Sequence, residues 1–72
     1  MKIPLTKAAL LAQANGELQQ QPWYQPGMDF SDASMTGHIL ELNSNAPLMP
    51  GADLDGLNAF VIDFSNRYTL IG

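Results

Sequence analysis

The sequence predicts a small α+β fold, with one short N-terminal helix, a long irregular arm, a strand and a C-terminal β-hairpin, as a single small domain or assembly subunit over residues 1–72. Three stretches predict it. "KAALLAQA" is a run of strong helix formers. "AFVIDF" points Phe60, Ile62 and Phe64 one way and Val61 and Asp63 the other, which is the period of a strand. Between them, residues 17–37 hold no sustained period and are punctuated by Pro22, Pro26, Gly27 and Gly37.

Taken in order, the helix is expected over residues 6–15, with Thr6 as its N-cap and Asn15-Gly16 as a left-handed stop. Apart from Thr6, Lys7 and Gln13 it is Ala and Leu nearly all round, so both of its sides want cover. A helix that short is marginal alone and needs packing to hold it. The arm follows over residues 17–37. Gln21 and Gln25 precede prolines and are biased to extended backbone, so "QPWYQPG" runs extended into a turn. In the β region, residues 38–72, "HILEL" alternates weakly, with His38, Leu40 and Leu42 on one side and Ile39 and Glu41 on the other. "NSNAPLMPGADLDG" reads as a loop dense in turn formers. "AFVIDF" and "YTLIG" then form the hairpin, with Asn66 as its left-handed loop residue; one bent strand over 59–71 is the other way to read them.

Composition narrows the function classes. A chain of 72 residues buries only about 60% of its extended-state surface, so a helper to stability is expected. There is no cysteine to supply one. Charged residues make up 14%, against about 25% in an average soluble domain, which suits a subunit packed against neighbours. Three cations, Lys2, Lys7 and Arg67, stand against seven carboxylates for a net charge of −4, so no phosphate-neutralising face for nucleic acid is expected. An anionic membrane would repel such a chain, and no segment reaches the roughly 20 apolar residues of a span. The start imitates a secretory signal, but its apolar run is shorter than the about 7–15 residues a signal needs, so synthesis in the cytoplasm is the expectation.

Three stretches invite a chemical reading. "GADLDGLNAFVIDF" gathers Asp53, Asp55 and Asp63 around a glycine, yet in either register of a calcium loop essential ligands fall on Gly51, Ile62 or Leu57. A solvated Asp-Gly turn leading into a strand is expected instead. "MDFSDASMTGHILE" brings Asp29, Asp32, His38 and Glu41 close in sequence, but the spacing is that of no compact metal motif, and turn, cap and edge-strand roles are expected. No nucleophile elbow or phosphate loop is present, and a core this small leaves little room for a substrate pocket of about 300 Å³ or more, so neither enzyme activity nor a cofactor is expected. "PWYQP" sets Trp23 and Tyr24 between prolines, as partner anchors or as a lid on the chain's own core.

The residues expected at a partner surface are Trp23, Tyr24, Leu10 and Leu11. The function expected is a non-enzymatic structural or interaction subunit of a larger assembly, such as a virion, a multisubunit complex or a homo-oligomer. Its partners are other protein chains, and the isolated chain should be weakly ordered, above all through residues 17–37. The alternative is a small acidic inhibitor or adaptor that binds one protein target.

Overall fold

In the computed structural model, which describes residues 2–71, the chain is an α+β fold of two helices and four strands. Strand β1 (Ile3–Thr6) leads directly into helix α1 (Lys7–Leu18). Strands β2 (Phe30–Thr36) and β3 (Ile39–Ser44) form a hairpin, a 3-10 turn follows at Ala46–Leu48, and helix α2 (Leu54–Arg67) runs straight into β4 (Tyr68–Ile71).

Thr6 caps α1 as expected, its hydroxyl accepting from the Ala9 N–H at 3.4 Å. The helix does not stop at Asn15-Gly16 but continues to Leu18. The reason lies in one stripe: Leu10, Ala14 and Leu18, spaced four apart, are all fully buried. Burying a Leu is worth about 1.5–3 kcal/mol, more than the roughly 1 kcal/mol that Gly16 costs a helix interior. Cover is also one-sided, since Ala8, Ala9 and Ala12 stay exposed.

The expected arm is two things. Its first residues close α1, and its last form β2, which buries Phe30 and Ala33. Two asparagines fasten the segment between them. The Asn15 side chain accepts from the Phe30 N–H at 2.7 Å and donates to the Phe30 carbonyl at 3.1 Å, as a neighbouring strand would. Asn45 does the same for the turn, accepting from the Asp29 N–H at 3.0 Å and donating to the Gly27 carbonyl at 2.7 Å.

The expected C-terminal hairpin is replaced by α2. Over residues 59–64 alone the apolar positions alternate, but over 57–68 they fall at Leu57, Phe60, Val61, Phe64 and Tyr68, the spacing of a helix face. Ile62 decides between the two periods: a strand would bury it beside Phe60 and Phe64, and it is 54% exposed. Asp53 caps the helix by accepting from the Gly56 N–H at 2.9 Å, Asp55 lies in the first turn and Arg67 in the last, the arrangement the helix dipole favours. Strand β4 therefore pairs with β1 and not with residues 59–64. The pairing is parallel, from Ile3 opposite Tyr68 to Thr6 opposite Ile71.

Aromatic rings run through the core. Phe30 stacks on Phe60 at 5.7 Å, Phe60 on Phe64 at 6.1 Å, and Phe64 meets Tyr68 at 4.7 Å. Arg67 lies over the Phe64 and Tyr68 rings at 5.6 and 5.3 Å and reaches back to Glu17 with both terminal nitrogens, tying the C-terminal ends of the two helices together. That hydrogen-bonded guanidinium holds the Glu17 carboxyl below its usual range, against the opposing effect of partial burial.

Candidate protein-interaction groove

The β2–β3 hairpin turns on two residues, Gly37 and His38, with Thr36 opposite Ile39 as the closing pair. Gly37 has φ +64, and glycine at the first central position is what a tight hairpin turn of this hand requires. In a two-residue hairpin the closing pair exchanges both main-chain bonds, and bonded and non-bonded pairs then alternate. Ile39 and Glu41 consequently bond towards β2. The N–H and C=O groups of Leu40 and Leu42 point the other way, to the edge of a sheet that has only two strands among the described residues.

That edge borders an open groove of about 490 Å³, whose opposite wall is α2. Four consecutive β3 residues, Leu40 to Asn43, line it. Since successive side chains of a strand face opposite ways, a cavity touching all four runs along the strand's edge and not over one face. The α2 wall is formed by Leu54, Leu57, Asn58 and Val61, a stripe that overlaps the edge of the core-facing one at Leu57 and Val61. Leu54 is 49% exposed, and beyond the rim Ile39 and Leu48 are 66% and 87% exposed. A space above about 300 Å³ thus exists, contrary to the expectation from chain size, because it lies open between two elements and takes nothing from the core.

One carboxylate, Glu41, lines the groove. Asp53 and Asp55 begin α2 outside that lining, with the Asp53 carboxylate beside Gly56. Among the described residues none of these three carboxylates joins an ion pair, while Lys7 pairs with Asp32 at 2.7 Å and Arg67 with Glu17 and Asp63. The Lys7 ammonium also lowers the Asp32 carboxyl from its ordinary value, helped by the Ala33 N–H.

The residues singled out from sequence lie elsewhere. Leu10 is fully buried on the core side of α1 and is closed to a partner in the folded chain; Leu11, Trp23 and Tyr24 are half-buried against the core. The Trp23 ring meets Phe60 edge-on at 6.3 Å. Its indole nitrogen sits only 2.8 Å from where a Cβ on Gly56 would be, so the missing side chain of Gly56 is what lets the ring lie on α2. At about 100° per residue, Gly56 and Phe60 fall on one flank of Phe64, and Leu54 and Asn58 on the other. Trp23 and the groove therefore occupy opposite flanks of α2.

The carboxylates and the histidine considered for chemistry are also dispersed. Asp53 is a helix cap, Asp32 is held by Lys7, His38 sits in the hairpin turn and Glu41 on β3. Among the described residues no three His, Cys, Asp or Glu side chains are gathered as metal ligands, and no helix is long and apolar enough to cross a membrane. No protein family, curated protein or solved structure matches the chain.

The groove residues Leu54, Leu57 and Val61 were not singled out from sequence. Their signal was an Asp at 53 with a glycine three residues on, followed by apolar residues at three- and four-residue steps.

Proposed function

We propose that this chain is a non-enzymatic interaction subunit, a component of a larger assembly such as a multisubunit complex or virion, and that it joins its partner through the groove between β3 and α2. One observation carries the reading: an apolar helix stripe faces an unpaired strand edge, leaving Leu54 half exposed beside it. Exposed apolar groups scattered singly mean little, but a contiguous set around a concave surface marks a place where something binds. The low charge of the chain agrees, since a surface with 14% charged residues suits contact with other chains.

The alternative, a monomeric inhibitor or adaptor, draws support from the net charge of −4 and from Glu41, which lines the groove and joins no ion pair among the described residues, features that suit one cationic target. Sedimentation across a concentration range, alone and with material from the native source, separates the two. The test of the shared premise is Leu54→Arg, which places a cation on the groove wall at an exposed position. Association should fall while the melting temperature holds. Association unchanged by this substitution would remove the groove from the interaction.

A further inference from the structure

Resting on that reading of the groove, we infer that its occupant is an extended, cationic peptide segment of another protein, which adds to the free edge of β3 as a third strand. Three features of the groove point to this class of ligand. The first is main-chain hydrogen bonding: the outward N–H and C=O groups of Leu40 and Leu42 offer two donors and two acceptors in strand register, which an extended peptide satisfies and a helix cannot, its own groups being bonded internally. The free edge of β2 differs, because Asn15 already occupies the Phe30 N–H and carbonyl.

The second is the shape of the walls. A peptide strand lying beside β3 turns alternate side chains to one face of the sheet, where Leu54, Leu57 and Val61 of α2 form an apolar floor. The six residues of β3 give an edge of about 20 Å at roughly 3.3 Å per residue, enough for four to six residues of ligand. The third is charge. Among the described residues Glu41, which lines the groove, joins no ion pair, and the chain carries a net charge of −4, so Lys or Arg at the alternate, outward positions of the ligand meets compensating charge. A second copy of this chain fits less well. It carries the same Glu41 on β3 and a net charge of −4, and of its three cations Lys7 and Arg67 are already engaged, so edge-to-edge pairing of two copies sets like charges together.

Selection of a displayed library of unstructured random peptides on the full chain supplies the probes, followed by synthetic peptides methylated on alternate backbone nitrogens. Methylation of the nitrogens facing β3 should weaken binding by about tenfold or more, and the other register by about twofold or less, since only one set of N–H groups bonds the edge. The selected sequences should alternate apolar residues with Lys or Arg, and Leu54→Arg should abolish capture. Equal tolerance of methylation in both registers, with Leu54→Arg still disruptive, would overturn strand addition and leave the groove as the interaction site. Failure to select any peptide that distinguishes wild type from Leu54→Arg would overturn the peptide inference. A concentration-dependent dimer lost on Leu54→Arg would replace the foreign peptide with a second copy.

Discussion

Asn15→Ala separates two descriptions of the same residue by the sign of its effect. If Asn15 were a helix stop, alanine would be neutral or would raise stability by up to about 0.7 kcal/mol through better helix propensity. In the structure Asn15 lies inside α1 and its side chain makes both main-chain bonds of Phe30, at 2.7 and 3.1 Å. Two such bonds contribute about 0.5–1.5 kcal/mol each, and removing their partner leaves a part-buried N–H and C=O that only water can reach. After the gain in helix propensity is subtracted, a net loss of about 1–2 kcal/mol remains, or roughly 5–15 °C in melting temperature for a chain of this size. Asn15→Asp, which keeps the acceptor and loses the donor, should fall between the two. Thermal melts and the exchange rate of the Phe30 amide provide the assay. An Asn15→Ala protein that melts at or above the wild type, with the Phe30 amide still protected, would refute the strand-clamp role.

Gly56→Ala should destabilise, although alanine is the better helix former by about 1 kcal/mol, because its Cβ would stand 2.7 Å from the capping Asp53 carboxylate and 2.8 Å from the Trp23 ring; a red-shifted tryptophan emission is the accompanying readout. Ile62→Ser should change stability by no more than about 0.5 kcal/mol, whereas Phe60→Ala should cost about 3–5 kcal/mol and leave little folded protein, as denaturant titration would measure. Arg67 lowers the folded-state pKa of Glu17, so this pair's contribution is complete above the ordinary glutamate value of about 4.3 and is lost as pH falls through the lowered folded-state value. In Arg67→Gln the acid limb should lose that component, and an unaltered acid profile would show that the ion pair adds nothing to the fold.

The parts of this fold that local patterning governs were legible. Thr6 before a run of helix formers located the start of α1, and the alternation of Leu40 and Leu42 located β3, with Leu40 buried and Ile39 and Glu41 exposed. Where two periods overlapped, the shorter window misled. Phe60, Ile62 and Phe64 alternate over six residues, but Leu57, Phe60, Val61 and Phe64 bury a wider surface as a helix, and Asp53 with Gly56 gives that helix its cap. Strand β1 was not legible because it has four residues, one of them Pro4, and its partner lies at the other end of the chain. Asn15 and Asn45 look like turn formers in sequence, and their bonding to residues 27–30 appears only once the segments meet. The groove was illegible for the same reason, since one of its walls comes from a helix whose residues the pattern divided between a loop and a strand. Size misled in a further way: a small core limits enclosed cavities, not open ones between elements.

Amide hydrogen exchange at Leu40 and Leu42, read residue by residue in the free chain and at saturation with a peptide selected on the groove, bears most directly on the edge of β3. In the free chain both amides should exchange fast while Ile39 and Glu41, bonded to β2, are protected; on binding, Leu40 and Leu42 should slow by orders of magnitude and Ile39 and Glu41 should change little. Protection of Leu40 and Leu42 already present in the free monomer, or unchanged exchange there when the groove is full, would contradict an edge that is open and receives a strand.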